Sequence, residues 1–186
     1  YSEKLEKLTI SKKLEFYSCD SAYQKRLPGA HLFLTNLKSL HSGILFSGFT
    51  IEQTELQNNP CISLQSSTTF NDCNFISINN SILEFACGSE FDTHSFNNCT
   101  FMQKSTQNTI KTSDINNKES TAIFKNCLFI MQSANTTSIN AGTSGKWKFY
   151  HCTFVNNEPN AVIAGGLRGG LLQFTNCFLL ANGTKS

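Results

Sequence analysis

Residues 149–154, Phe-Tyr-His-Cys-Thr-Phe, are one copy of a motif that decides the fold of this chain, Phe-x-x-Cys-x-Phe. Its first part, Phe-x-x-Cys, occurs six times in 186 residues, at 16–19, 70–73, 96–99, 124–127, 149–152 and 174–177. The gap between the first two copies is about twice as long as the later gaps, and Phe46-Ser47-Gly48-Phe49 fits within it as a degenerate copy with Phe49 in the cysteine position. An internal repeat of about 25 residues therefore organises the chain.

The motif predicts its own local conformation. The cysteine and the phenylalanine two residues later lie on one face of a strand, because strand side chains alternate. The phenylalanine three residues before the cysteine breaks this alternation. The two residues between them must then form a tight bend. Asn or Asp occupies the second of these positions in several copies, at Asp72, Asn98, Asn126 and Asn176, and both residue types tolerate a left-handed backbone.

Short strands, polar bends and one turn per repeat predict an all-β, right-handed parallel β-helix, a solenoid of about seven coils. Leucine-rich and helical repeats fit less well, because their sequence frames are absent. Asn, Ser and Thr, which are poor helix formers, make up 59 of the 186 residues. We expect residues 16–186 to form the β-helix as part of a longer chain. Residues 1–15, of which seven are charged, are predicted to be an end coil or cap.

One stretch carries a family resemblance. Gly169-Gly170-Leu171-Leu172, followed by residues 174–177, resembles the repeats of the right-handed parallel β-helix superfamily. That superfamily is typified by pectate lyases and by the passenger regions of polymorphic outer-membrane proteins, whose repeats read Gly-Gly-Ala-Ile and Phe-x-x-Asn. Here Cys fills the Asn position. The resemblance implies a pectate-lyase-like fold, and enzymes on that fold use clustered acidic residues with a Lys or Arg.

The cysteines are interpreted mainly as core. Equivalent inward positions in successive coils predict a ladder of buried thiols, formed by Cys73, Cys99, Cys127, Cys152 and Cys177. Cys61 and Cys87 lack the Phe-x-x prefix and are separated by one repeat length, so they are predicted to be vertical neighbours that could form a disulfide. No Cys-x-x-Cys pair occurs, and a stacked row cannot surround an ion tetrahedrally. No metal or cofactor site is predicted.

Candidate catalytic groups are sparse. Glu84, Glu90, Asp92 and His94 are the nearest approach to an acidic cluster. His94 occupies an inward position of the repeat, which favours a hydrogen-bonded core histidine over a catalytic base. Arg168 lies in a glycine-rich turn without a visible partner acid, so no catalytic residue is assigned.

Sugar-binding positions are also few. Trp147 is predicted to point inward, so Tyr150 in a bend is the better candidate for stacking on a sugar. Glycosylation sequences of the type Asn-x-Ser/Thr occur at Asn79, Asn98, Asn135 and Asn182. They are acceptors only if a eukaryote secretes the protein.

Charge and composition bound the function. The net charge is +2 without a basic block, which argues against nucleic acid, and no apolar stretch is long enough to span a membrane. The sequence favours a non-enzymatic structural or adhesive segment of a larger surface or extracellular protein, with other protein chains or surface glycans as partners. The alternatives are a polysaccharide lyase or hydrolase, an intracellular scaffold subunit of a large assembly, or a carbohydrate-binding module with a row of exposed aromatics.

Overall fold

A computed structural model describes most of the chain. The residues outside the description are 1, 11–14, 18, 21–24, 27–29, 40–41, 54–59, 79, 86–91, 105–108, 113–119, 132–136, 141–144, 157–161, 166–170 and 182–186. The described residues form strands and irregular connections. A helix that is long and apolar enough to cross a membrane does not occur among them.

One face of the solenoid, here called the motif face, is a parallel sheet of seven strands, each ending at the bend of a repeat. Its strands are β2 (Glu15–Tyr17), β6 (Ile44–Ser47), β9 (Thr68–Asn71), β12 (Thr93–Asn97), β15 (Ser120–Lys125), β18 (Gly145–Tyr150) and β21 (Leu171–Thr175). They lie side by side in chain order, because each strand pairs with its equivalent one repeat away.

A second sheet supplies the other two faces and divides at the long strand β5 (Ala30–Ser39), which pairs with both halves. The second face directly follows the cysteine position and contains β7 (Phe49–Gln53), β10 (Asn74–Ser77), β13 (Thr100–Gln103), β16 (Leu128–Met131), β19 (Thr153–Asn156) and β22 (Phe178–Ala181). The third face contains β8 (Ile62–Leu64), β11 (Leu83–Phe85), β14 (Ile110–Thr112), β17 (Thr137–Asn140) and β20 (Val162–Gly165).

The N-terminal strands lie outside this regular pattern. Strand β1 (Ser2–Ile10) pairs with β5 in parallel, while β3 (Cys19–Asp20) and β4 (Lys25–Arg26) form a small antiparallel pair. The assignment of residues 1–15 as a cap stays a prediction.

The parallel β-helix and its period of about 25 residues are confirmed. The prediction of about seven coils is wrong, because the number of complete turns among the described residues is about three. Seven strands line the motif face, but all three faces, with their inward side chains, are described for about three turns, which are β6–β8, β9–β11 and β12–β14. The motif specifies only the first two strands of a repeat. It does not specify a strand on the third face, so counting motifs overestimates complete turns.

The bend between the motif face and the second face has the predicted left-handed backbone. The second residue of the bend has φ of 52–54° in five repeats, at Asp72, Asn98, Asn126, His151 and Asn176. Gly48 has φ of 81° in the degenerate copy, and Phe46 pairs with Phe70 in register. The interpretation of residues 46–49 as a degenerate repeat is therefore confirmed.

Two columns of phenylalanine fill the core on either side of the bend. The first column stacks with ring centroids 4.7–5.2 Å apart, and consists of Phe46, Phe70, Phe96, Phe124, Phe149 and Phe174. The second stacks at 4.6–4.9 Å, and consists of Phe75, Phe101, Phe129 and Phe154. These spacings follow the distance of about 4.8 Å between strands. Rings of one repeat meet edge to face across the bend, as in Phe124 and Phe129 at 5.6 Å.

The motif cysteines lie in the angle between the two phenylalanine columns. Cys73, Cys99, Cys127 and Cys152 are buried, and Cys177 is half-buried. Each thiol lies 3.4–3.8 Å from the carbonyl oxygen of the first motif phenylalanine in the preceding repeat, as in Cys127 Sγ to Phe96 O at 3.4 Å. Burial raises the pKa of the Cys99 thiol well above its usual range. These thiols act as small core groups with weak S–H donors.

Candidate functional site

His94 is a core residue. Its side chain is fully buried, with its ring centroid 5.0 Å from that of Phe85. Burial lowers the pKa of His94 to about 4, against an opposing effect of the Asp92 charge. The inward position was predicted correctly, but the expectation of a hydrogen-bonded histidine was wrong. Neither ring nitrogen has a partner among the described residues. Ala122, which pairs with His94 in the next repeat, offers no polar side-chain atom.

The carboxylates next to His94 serve structure. Asp92 is buried and accepts hydrogen bonds from Ser67 N and Ser67 Oγ, both at 3.0 Å. Glu84 forms an ion pair with Lys111 at 3.3 Å. Glu90 lies outside the described residues. The predicted cluster therefore does not form a pair of carboxylates facing a common space in the described part of the chain.

The two other described carboxylates also have structural partners. Glu52 lies 3.0 Å from His31, and Asp72 accepts a hydrogen bond of 3.1 Å from the Asn98 amide at the bends. A glycosidase or lyase needs a positioned acid and base in one cleft. The described carboxylates do not supply one.

Cys61 is a buried free thiol. Burial raises its pKa to about 12, with a further contribution from Glu52. The expectation that Cys87 is its vertical neighbour was wrong. Ile62 pairs with Leu83, so Ile82 lies one repeat along from Cys61. The connections between the third face and the motif face differ in length, so the regular spacing of the motif does not hold there. Cys87 lies outside the described residues, and the disulfide stays a prediction.

An open depression of about 450 Å³ lies on the outward side of the bends. It is lined by Ile123, Lys125 and Asn126 from one repeat, and by Tyr150 and His151 from the next. Lys125 pairs with Tyr150 across adjacent strands, and Asn126 N donates to Tyr150 O at 3.0 Å. We call these five residues the bend depression. It is the candidate functional site, because it brings titratable and aromatic side chains together on the outside of a rigid sheet.

Local sequence explains how these side chains come to face solvent. On β18 the inward Trp147 and Phe149 are fully buried, so Lys148 and Tyr150 must point outward. The bend then places His151, which is exposed, in a left-handed conformation. The same position has positive φ at Gly, Asn or Asp in five other repeats, and histidine is among the non-glycine residues that tolerate this backbone best.

The outward side of the motif face is basic around the bend depression. Lys125, Lys146 and Lys148 occupy outward positions on β15 and β18. Strands β12, β15, β18 and β21 contain no Asp or Glu. Positive charge is thus concentrated on this surface in a chain whose net charge is only +2. The site can bind an anion.

Sequence reasoning singled out Tyr150 but missed the lysines beside it. The signal was present, because Lys125 and Tyr150 occupy the same position of the motif in successive repeats. Equivalent positions in a solenoid become lateral neighbours. The row of exposed aromatics that a carbohydrate-binding module would require does not form at Tyr150, which is flanked in register by Lys125 and Thr175.

The remaining sequence-predicted positions are placed as follows. Asn98 is exposed at a bend, where its amide donates to Asp72 and its carbonyl oxygen accepts from Asn126 at 3.3 Å. Asn79, Asn135, Asn182 and Arg168 lie outside the described residues. No group of three or more potential metal ligands was found among the residues that the structure describes.

Comparisons of the chain with protein-family models, with curated proteins and with solved structures found no match. The function of this chain is therefore inferred from its own geometry.

Proposed function

We propose that this chain is a non-enzymatic structural or adhesive β-helix segment of a larger surface or extracellular protein. In this proposal the phenylalanine columns form a rigid rod, and the outward side chains of the motif face contact surface glycans or other protein chains. The likeness of Gly169-Gly170-Leu171-Leu172 and residues 174–177 to the repeats of β-helical passenger regions is part of the proposal.

One observation carries the proposal. Each of the four carboxylates with a described side chain has a structural partner, while the bend depression presents a lysine, a histidine and a tyrosine. A surface built in this way favours binding over hydrolysis of a glycan, because that cleavage uses carboxyl groups positioned at the scissile bond, and the lining of the depression includes none. The pectate-lyase type of activity is accordingly the weaker alternative.

Turnover and retention, measured on the same preparation, test the proposal. The folded chain is incubated with a panel of acidic and neutral polysaccharides, with and without Ca²⁺, and reducing ends and unsaturated products are followed. Retention on surfaces coated with glycans and with cell-surface proteins is measured in parallel. We expect retention without turnover above the protein-free control. Turnover that scales with protein concentration and is lost in Asp92→Asn or Glu84→Gln would overturn the proposal.

An intracellular scaffold subunit is a second candidate, and the thiols favour it. Six cysteines are free among the residues whose side chains are described, five of them buried, and cytosolic proteins keep their thiols reduced. Alkylation in denaturant without reductant, followed by mass spectrometry, counts the free thiols in protein isolated from its natural source. All eight cysteines alkylated would favour the intracellular scaffold. Six alkylated, with Cys61 and Cys87 protected, would favour an oxidising, extracellular location.

A further inference from the structure

We propose that the bend depression binds an acidic glycan, meaning a pyranose chain that carries carboxylate or sulfate groups. This inference rests on the adhesive function proposed above and names the ligand class that the surface recognises. The bend depression supplies a fixed aromatic ring, Lys125 and side chains that can both donate and accept hydrogen bonds. Lys148, on the strand of Tyr150, lies beside it.

Tyr150 supplies the surface on which a sugar ring can stack. Its strand is paired on both sides, with Lys125 and Thr175 as the neighbours of Tyr150, so the backbone beneath the ring is fixed. The side chain is half-buried in the wall of the depression, next to the apolar side chain of Ile123. A tyrosine loses little conformational entropy on binding and offers a large amphipathic face. The depression, at about 450 Å³, lies within the usual size range of ligand sites.

Lys125 and Lys148 supply the charge. Ile123 pairs with Lys148, and Lys125 pairs with Tyr150, so the two lysines lie diagonally across adjacent strands. Strand geometry separates their Cα atoms by roughly 8 Å. Lys146 lies two residues before Lys148 on the same side of β18. Ammonium groups at this spacing fit the acidic substituents of successive sugars along an extended chain better than one isolated anion.

Asn126 and His151 supply polar contacts for hydroxyl groups. The Asn126 amide uses one donor on Asn98 at 3.3 Å, and an amide has a second donor and an acceptor carbonyl. Imidazole likewise has one nitrogen that donates and one that accepts when neutral. His151 is exposed at its left-handed position. Such bifunctional groups suit sugar hydroxyls, which themselves both donate and accept.

Charge magnitude favours a glycan over nucleic acid. The chain has a net charge of +2 and a pI of about 8.1, and this surface has three lysines on β15 and β18. Nucleic-acid-binding domains are commonly far more basic and can contact about 6–10 phosphates. A weak polyanion with stackable rings fits the site better.

Binding of defined probes to the full chain tests the inference. The probes are a sulfated oligosaccharide, a uronic-acid oligosaccharide, a neutral oligosaccharide of equal length and a single-stranded DNA of equal charge. We expect one or both acidic sugars to bind, and which one binds identifies the acidic substituent. Tyr150→Ala and the double variant Lys125→Ala/Lys148→Ala should each raise Kd about tenfold or more. Tyr150→Phe, which keeps the ring, and Lys104→Ala, which removes an exposed lysine elsewhere, should change Kd by less than about twofold.

Three results would overturn the inference: equal binding of the neutral sugar, tighter binding of the DNA, or unchanged affinity in both site variants. Thermal unfolding of each variant shows whether a loss of affinity reflects misfolding. If an alanine variant misfolds, the Kd values of Tyr150→Phe, which keeps the ring, and Lys148→Arg, which keeps the charge, are measured instead. Retention of wild type and site variants alike on coated surfaces would reject this ligand while the adhesive function stands. Polysaccharide turnover by the wild type would reject the adhesive function itself.

Discussion

The repeats that begin with β18 and with β21 have the same motif but very different burial. In the first, Phe149 and Phe154 are fully buried. Their register partners in the second, Phe174 and Leu179, are 39% and 56% exposed. The backbone of the bend is nonetheless the same, with φ of 53° at His151 and 52° at Asn176. The motif therefore determines the shape of a coil, whereas burial requires a neighbour on both sides.

This difference has an energetic meaning. In a solenoid the stability is approximately a sum over repeats and the interfaces between them. Among the described residues, a repeat in the middle of the stack has two such interfaces, and the repeat that begins with β21, here called the closing repeat, has one. Substitutions at equivalent positions of the two repeats should therefore cost different amounts when they remove buried contacts, and similar amounts when they act on the backbone.

The largest difference is expected for the first phenylalanine of the motif. Phe124→Ala removes a buried ring that stacks at 4.7 Å on both Phe96 and Phe149, and should cost about 3–5 kcal/mol of unfolding free energy. Phe174→Ala, with one stacking neighbour and partial exposure, should cost about half as much. Urea denaturation of both variants gives the measurement. Equal losses of unfolding free energy would show that Phe174 is packed as tightly as Phe124, and would contradict this prediction.

The next effect concerns the inward position occupied by His94 in the middle of the stack and by Leu172 in the closing repeat. Because burial lowers the folded pKa of His94 to about 4 from 6.5, the unfolded chain takes up a proton first as the pH falls. His94 therefore adds no pH-dependent cost above about pH 6.5, and destabilises the fold progressively between pH 6.5 and 4. The total loss is on the order of 3 kcal/mol.

The variant His94→Leu provides the control for that pH dependence. It should remove this part of the slope when the unfolding free energy is measured from pH 7 to pH 4, and leave the contribution of the carboxylates unchanged. If the unfolding free energies of the wild type and the variant fall in parallel from pH 7 to pH 4, His94 does not cause this part of the pH dependence.

A smaller difference is expected at the thiols. Cys127→Ser places a hydroxyl among buried rings and should cost about 1–3 kcal/mol. Cys177→Ser, at a half-buried position, should cost less than half of that. Thermal unfolding of both variants in reductant provides the comparison. A larger loss at Cys177 would refute the role of burial.

The smallest effect should be the same in both repeats. Asn126→Ala and Asn176→Ala each place a Cβ-bearing residue without a polar side chain at φ of 52–53°. Each should cost about 1 kcal/mol because alanine disfavours the left-handed conformation. The corresponding glycine variants should be close to wild type. A cost at Asn126 several times that at Asn176 would mean that the bend depends on its neighbours and not on the local backbone.

Much of this fold could be predicted because the motif is local. The spacing of Phe124, Cys127 and Phe129 specifies a strand, a left-handed bend and a second strand, and the repeat places equivalent residues over one another. The third face could not be predicted in the same way. It has no motif, and its connections vary in length, so Ile82 and not Cys87 follows Cys61.

The candidate site was predicted in part. Tyr150 was singled out by its bend position, but its neighbours Lys125 and Lys148 become a site only when adjacent strands pair. His94 shows the same limit. Its inward direction follows from strand alternation, whereas the absence of a described hydrogen-bond partner depends on the side chains of the neighbouring repeats, such as Ala122.

The sequence by itself determined the bend and the strand on either side of it, because Phe-x-x-Cys-x-Phe fixes their backbone through contacts within the motif. The tertiary structure alone decided how deeply each copy is buried and which outward side chains meet. Those properties depend on the repeat above and the repeat below, and a single copy of the motif contains no information about either.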